Sequence, residues 1–168
     1  AYASLIRGVA RHVVLYDINA AKVRAEALDL AHGSQFMPQA RIEGSDDPEI
    51  TRGSDVVVIT AGAKQKPGET RMDLAASTVN LMKKVIPPLV ERSPDAIFLM
   101  VTNPVDVTTY AALKISGLPR NQLFGSGTVL DSSRLRYLVA EACEVAVVNV
   151  HAYIAGEHGD SEIPLWSA

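Results

Sequence analysis

His158 is the first residue whose setting points to chemistry. It stands in Gly156-Glu157-His158-Gly159-Asp160, where flanking glycines leave an imidazole accessible, and imidazole gives and takes a proton near neutral pH. Asp131-Ser132-Ser133-Arg134 opens a helical pattern with a carboxylate and, three residues on, a guanidinium able to fork onto a second carboxylate. If Asp131 accepts the Nδ1–H of His158, the other ring nitrogen becomes a proton-transfer group. Asn103, in Val101-Thr102-Asn103-Pro104-Val105-Asp106, follows an apolar run and brings an amide that both donates and accepts. Residues 61–70 form a loop with Gly62, Lys64, Gln65 and Lys66, and Arg71 follows it. Asp17 ends the first apolar run, the position from which an acidic side chain binds ribose hydroxyls in dinucleotide folds. Each feature also has an ordinary use: a turn at Asp17 or Asn103-Pro104, a solvated loop, a helix cap with a salt bridge at Asp131.

The elements that must position these groups alternate between β and α patterns. Apolar, β-branched runs at 12–17, 56–60 and 96–101 read as buried strands, the second covered on both faces. A weaker, edge-like strand is expected at 41–44, a short one at 123–125, and a last one at 147–154. Helical periodicity covers 19–32, 71–92, 105–116 and 131–144. In the first of these helices Asn19 is the N-cap, Gly33 the stop, and Val23, Ala27, Leu28 and Ala31 one apolar stripe. Pro87-Pro88 should kink the second or split it. Cys143 falls on the apolar side of the last helix, with Leu135, Leu138 and Val139, and is expected to be a buried small hydrophobe. The alternation implies an α/β fold with a doubly wound parallel sheet. A composition shift after Gly125 places a domain boundary there: 1–125 and 126–168.

Composition narrows the function classes. The chain carries 16 Lys+Arg against 19 Asp+Glu and no long basic run, which argues against nucleic acid and membrane surfaces as partners. No apolar run approaches the roughly 18 residues of a bilayer span. The single cysteine excludes an internal disulfide and a Cys-only metal site, and fits a reducing cytoplasm. Residues 1–8 read as the end of a helix closing at Gly8, and the chain stops just after Trp166, so a fragment lacking both ends is expected. A Gly-rich phosphate loop would lie about 20 residues before Asp17, hence upstream of residue 1.

Four segments in order, residues 60–71 (TAGAKQKPGETR), 101–106 (VTNPVD), 130–136 (LDSSRLR) and 156–167 (GEHGDSEIPLWS), carry a resemblance over essentially the whole chain. The sequence resembles the NAD-dependent L-lactate/malate dehydrogenases, and among them the bacterial L-lactate enzymes. The resemblance implies a Rossmann-type sheet missing its first strand (1–125) and the start of an α+β substrate domain (126–168). It implies NAD as cofactor, no metal, reversible oxidation of a 2-hydroxy acid in pyruvate fermentation and glycolysis, a cytoplasmic homo-tetramer, and a fragment inactive by itself.

Residue by residue, the resemblance makes His158 the proton donor and acceptor, and Asp131 the group that holds it and stabilises the imidazolium. It makes Arg134 the fork on the substrate carboxylate, Arg71 the cation that polarises the substrate carbonyl, and Asn103 a contact to substrate and nicotinamide ribose. Gln65 faces the variable end of the substrate. Malate enzymes carry Arg there, and a second carboxylate closed against Gln would be a buried charge without a partner, so pyruvate is expected over oxaloacetate, with malate dehydrogenase the alternative. Asp17 and Lys22 match the adenosine end of the cofactor, Gly62 and Ala63 the loop over it, and Val101, Thr102 and Ser126 the nicotinamide end. Pro48 and Lys84 depart from the family pattern, where an aromatic and a small polar residue are expected. Arg136 and His151 match the cation pair of enzymes activated by fructose 1,6-bisphosphate.

Overall fold

The computed structural model describes residues 1–62, 68 and 71–166, without the side chains of 71–73. Expectations for Ala63, Lys64, Gln65 and Lys66 and for the Arg71 side chain therefore lie outside the described residues. The chain divides into two compact units, Ala1–Ser54 with Pro88–Pro94, and Asp55–Pro87 with Asp95–Ala168.

In the first unit a short helix α1 (Tyr2–Ile6) ends before Gly8, whose φ of 62° is the left-handed turn that a glycine takes without strain. Strand β1 (His12–Tyr16) leads to helix α2 (Ala20–His32) and strand β2 (Arg41–Ser45), which pairs with β1 in parallel from His12↔Arg41 to Tyr16↔Ser45. Asn19 caps α2, its side-chain oxygen accepting the Lys22 N–H at 3.0 Å, and at Gly33 the helix gives way to a 3-10 turn, Gly33–Phe36. Only part of the expected stripe packs: Val23 and Ala27 are buried, Ala31 is half-buried and Leu28 is 57% exposed. Gly44 explains the tight seat of α2 on β2. A Cβ there would stand 2.5 Å from the Val23 carbonyl oxygen and 2.9 Å from the Ala27 methyl. The end of helix α3 (Arg71–Arg92) supplies buried Leu89, and the following Ser93 donates to the Thr51 carbonyl and accepts the Ser54 N–H.

In the second unit β3 (Val56–Ile59), β4 (Ile97–Met100) and β5 (Leu123–Gly125) form a parallel sheet in that order. Helix α4 (Val105–Ser116) follows β4 and ends at Gly117 in the left-handed conformation. Helix α5 (Val129–Cys143) follows β5, and an antiparallel hairpin of β6 (Tyr153–Ala155) and β7 (Ile163–Leu165) closes the described chain. The two parallel sheets are separate: β1-β2, and β3-β4-β5. Those are the pairings that the doubly wound order 3-2-1-4-5-6 keeps when its first strand is taken out.

Four expectations need correction. Helix α3 is not split at Pro87-Pro88 but runs as one helix through them. Each proline removes one N–H and crowds the carbonyl four residues back, which costs stability without ending a helix whose buried side chains, Ile86 and Leu89, continue on both sides of the pair. The sheet is not covered on both faces: Ile59, Phe98, Met100 and Leu123 are buried, while Val56, Val58, Ile97 and Phe124 on the opposite face are exposed. Instead of one strand at 147–154, Val147–Asn149 is a 3-10 turn and only Tyr153–Ala155 is strand, because its partner β7 is three residues long. Cys143 is exposed, not buried, because α5 turns its last residues, 141–143, to solvent before the left-handed Glu144 cap.

Candidate active site

The hairpin loop between β6 and β7 carries His158, and the first turn of α5 carries Asp131. The His158 Nδ1–H donates to Asp131 Oδ2 at 2.6 Å. Asp131 is 8% exposed, and an ionised carboxylate only accepts, so this contact fixes the proton on Nδ1 and leaves Nε2 free to exchange one. The second carboxylate oxygen, Oδ1, accepts from Arg134 Nη1 at 3.1 Å. One buried carboxylate thus organises both a proton carrier and a cation. Arg134 is 63% exposed, and a guanidinium can fork onto a carboxylate with the N–H groups that Asp131 does not use.

The backbone between α5 and the hairpin explains why the loop holds its place. Ser132 Oγ accepts the Ile154 N–H at 2.9 Å, and Thr128 Oγ1 donates to the Ile154 carbonyl at 2.6 Å. The start of α5 is in this way pinned to β6 at Ile154, four residues before His158. A further bond ties that loop to α4: the His158 backbone N–H donates to Asp106 Oδ2 at 2.9 Å.

A cavity of about 390 Å³ lies over these groups, lined by Val101, Asn103, Ser126, Gly127, Val129, Leu130, Ser133 and His158. It lies at the carboxyl ends of β4 and β5, where ligands of open α/β sheets bind. Its apolar walls with an amide and an imidazole at the edge suit a flat aromatic ring beside a small polar substrate. Thr102 is buried beneath it, its Oγ1 donating to the Ile59 and Ala61 carbonyls. Gly62 packs against Thr102 itself: a Cβ there would stand 2.8 Å from Thr102 Cγ2.

The structure therefore brings His158, Asn103, Val101 and Ser126 together around one cavity, with Asp131 bonded to His158 and Arg134 to Asp131. Asp17 and Lys22 belong to the first unit. Asp17 Oδ1 accepts the Asn19 N–H at 2.9 Å, an Asx-type turn at the end of β1. Arg136 is engaged locally, with Nε donating to the Ala152 carbonyl at 2.8 Å and the guanidinium over the Tyr153 ring at 4.6 Å. His151 is exposed one residue before Ala152. Gln65, Ala63 and the Arg71 side chain lie outside the described residues.

Asp131, His158 and Glu162 also place donor atoms within 4.8 Å of one another. The 2.6 Å contact between two of them is that of a shared proton, since ligands on one tetrahedral ion with bonds of about 2.0 Å stand roughly 3.3 Å apart. Sequence reasoning missed Asp106, Thr128 and Ser132. Ser132 lies inside the quoted LDSSRLR segment and Asp106 closes the quoted VTNPVD segment, but by itself Asp106 reads only as an acidic residue in the first turn of a helix.

Fold and cavity together define a dinucleotide-binding α/β protein with a histidine–aspartate pair at the carboxyl ends of its strands. Comparison with known proteins narrows this class. A family model described as lactate/malate dehydrogenase, NAD binding domain, matches residues 1–125, and one described as lactate/malate dehydrogenase, alpha/beta C-terminal domain, matches residues 128–168. The chain belongs to the lactate/malate dehydrogenase family. It is 58% identical to an L-lactate dehydrogenase of Bifidobacterium animalis subsp. lactis over 168 residues, all of this chain and 52% of that protein. An L-lactate dehydrogenase of Synechococcus sp. is 52% identical over 99% of this chain and 54% of its own length. Among solved structures, a lactate dehydrogenase from a Medee basin deep-sea metagenome library superposes with a TM-score of 0.93 at 42% identity, covering 99% of this chain and 53% of that one. The minor L-lactate dehydrogenase of Enterococcus mundtii also scores 0.93, at 39% identity over the same 99% and 53%. The chain spans about half the length of the relatives it matches.

Proposed function

We propose that these residues form the cofactor-binding domain (1–125) and the start of the substrate domain (126–168) of an L-lactate dehydrogenase that interconverts lactate and pyruvate with NAD. The observation that carries the reading is the buried Asp131 carboxylate, shared between His158 Nδ1 and Arg134 beside a cavity that Asn103 also lines.

In the lactate direction, Arg134 holds the substrate carboxylate and His158 Nε2 takes the hydroxyl proton, while Asp131 offsets the positive charge that the ring gains. Asn103 donates to the substrate oxygen. Arg71, which follows the loop, polarises the carbonyl, and Gln65 faces the substrate methyl. NAD supplies the hydride acceptor when bound. Val101, Thr102 and Ser126 would hold its nicotinamide end, Gly62 and Ala63 the loop over it, and Asp17 and Lys22 its adenosine end. The apolar walls given by Val101, Val129 and Leu130 fit such a ring. Since four of the relatives and neighbours named above are lactate dehydrogenases, pyruvate is the substrate proposed over oxaloacetate.

The finer points of the proposal are a homo-tetramer in the cytoplasm, activated by fructose 1,6-bisphosphate at Arg136 and His151. Supporting them, no described helix is long and apolar enough to cross a membrane, and Arg136 and His151 lie one on each side of the contact between α5 and Ala152. Residues 1–168 alone are expected to lack activity. The test is NADH oxidation by the full-length protein carrying this chain, with pyruvate and oxaloacetate at matched concentrations, with and without the bisphosphate. Preference for pyruvate supports the assignment, and preference for oxaloacetate overturns it. An unchanged KM and kcat with bisphosphate removes the effector from the proposal.

A further inference from the structure

His158 is held at two points, and only one of them belongs to the proton relay described above. Asp131 holds the ring. Asp106 holds the main chain, its Oδ2 accepting the His158 backbone N–H at 2.9 Å across 52 residues of sequence. We propose that Asp106 is a positioning residue for His158, locking the histidine loop to the loop that carries Asn103. This inference rests on the proposed dehydrogenase function.

The placement of Asp106 favours it. It stands in the first turn of the 12-residue helix α4, where the helix dipole stabilises a carboxylate and keeps it a strong acceptor. It lies three residues after Asn103, and the Thr108 hydroxyl of the next residues donates to the Thr102 carbonyl at 2.7 Å, so the turn that bears it is fixed from below. Val105 and Thr108 on either side are buried, which anchors the helix start to the sheet. The hairpin loop, by contrast, hangs between two three-residue strands and is exposed at Gly156, Glu157 and Asp160. A loop so lightly built needs a fixed point if Nε2 is to meet a substrate oxygen within a few tenths of an ångström, and misplacement by about 1 Å is enough to cost a hundredfold in rate. Because Asp106 is itself exposed, water competes for the bond, and its loss should weaken positioning without abolishing it.

The test uses two variants of the full-length protein. Asp106→Ala removes the acceptor. Asp106→Asn removes the charge but keeps an acceptor oxygen. Both lose the same favourable charge at the start of α4, so an effect on that helix alone would strike both equally. The expected result is a kcat for pyruvate reduction about tenfold lower in Asp106→Ala, with KM for NADH unchanged, and most of that loss recovered in Asp106→Asn. Hydrogen–deuterium exchange of the 156–160 loop should be about tenfold faster in Asp106→Ala than in the parent, and near the parent's in Asp106→Asn. Equal loss in the two variants, or a loop that exchanges at the same rate in all three proteins, overturns the proposal. The exchange measurement needs no activity, so it still decides the role of Asp106 if the parent protein fails to reduce pyruvate and the dehydrogenase reading falls. Should Asp106→Ala not fold, the exchange rate in the parent and in Asp106→Asn remains decisive: an unprotected His158 N–H in the parent refutes the anchor.

Discussion

Asp131→Asn isolates the charge on which the proposed mechanism depends. The substitution keeps the size and shape of a side chain that is only 8% exposed, so no cavity opens. Arg134, at 63% exposure, can turn to water, and the asparagine then keeps its oxygen on the His158 Nδ1–H and its NH2 toward the space that Arg134 leaves. What disappears is the negative charge beside an imidazole that becomes cationic during turnover. Two unit charges about 4 Å apart near a protein surface interact by roughly 4 kcal/mol, and water entering the site removes part of that. A loss of about 2–4 kcal/mol corresponds to a fall of about 30- to 900-fold in kcat/KM. The overall equilibrium between lactate and pyruvate does not depend on the enzyme, so with saturating cofactor, and with the relative affinity for NADH and NAD unchanged, the fall is the same in both directions. Initial rates of NADH oxidation with pyruvate and of NADH formation with lactate, at one pH, measure both. A variant within about fivefold of its parent in both directions would refute the assignment of Asp131 as the group that supports His158.

Three further outcomes are expected. Gly44→Ala forces a methyl to within 2.5 Å of the Val23 carbonyl oxygen and should cost about 2–3 kcal/mol, read as a lower urea midpoint with activity retained at low denaturant. Glu43 accepts bonds from Arg41 and His12, and these hold its carboxyl below its ordinary 4.5. Its contribution to stability is therefore complete above that value and is lost as pH falls through the depressed one, so urea midpoints of the parent should decline below about pH 4.5 more steeply than those of Glu43→Gln. Gln65→Arg should raise the kcat/KM ratio of oxaloacetate to pyruvate by ~100-fold, because the second carboxylate then finds a partner; an unmoved ratio would show that Gln65 does not face the substrate.

Much of the fold was legible because local rules and the final packing agree. The runs HVVLY, VVVI and IFLM are β-branched or apolar and became β1, β3 and β4, and the helices between them required parallel pairing. Asn19 began a helix and Gly33 ended it by chemistry that depends on a few neighbouring residues only. Reading failed where the outcome depends on what lies opposite. Leu28 fits the α2 stripe but meets no packed surface, and Val56 and Val58 have the composition of a doubly covered strand yet are open on one side. Cys143 shares a helical face with apolar residues, of which Leu138 is itself 59% exposed, so the face was no guide to burial.

The site divides along the same line. The pairing of His158 with Asp131 spans 27 residues and was suggested by side chains that have a chemical reason to meet, a ring N–H and a carboxylate. The pairing of His158 with Asp106 spans 52 and involves a backbone N–H, a donor that every residue except proline carries. Nothing about that donor distinguishes His158 from its neighbours, and Asp106 already has a sufficient local use at the start of α4. Its longer-range use arises only when the β6–β7 hairpin folds back and presents one particular N–H to it. Residues that position a reactive group through its main chain are for this reason the ones that motif reading passes over, even when they stand inside a recognised motif, as Asp106 stands in VTNPVD.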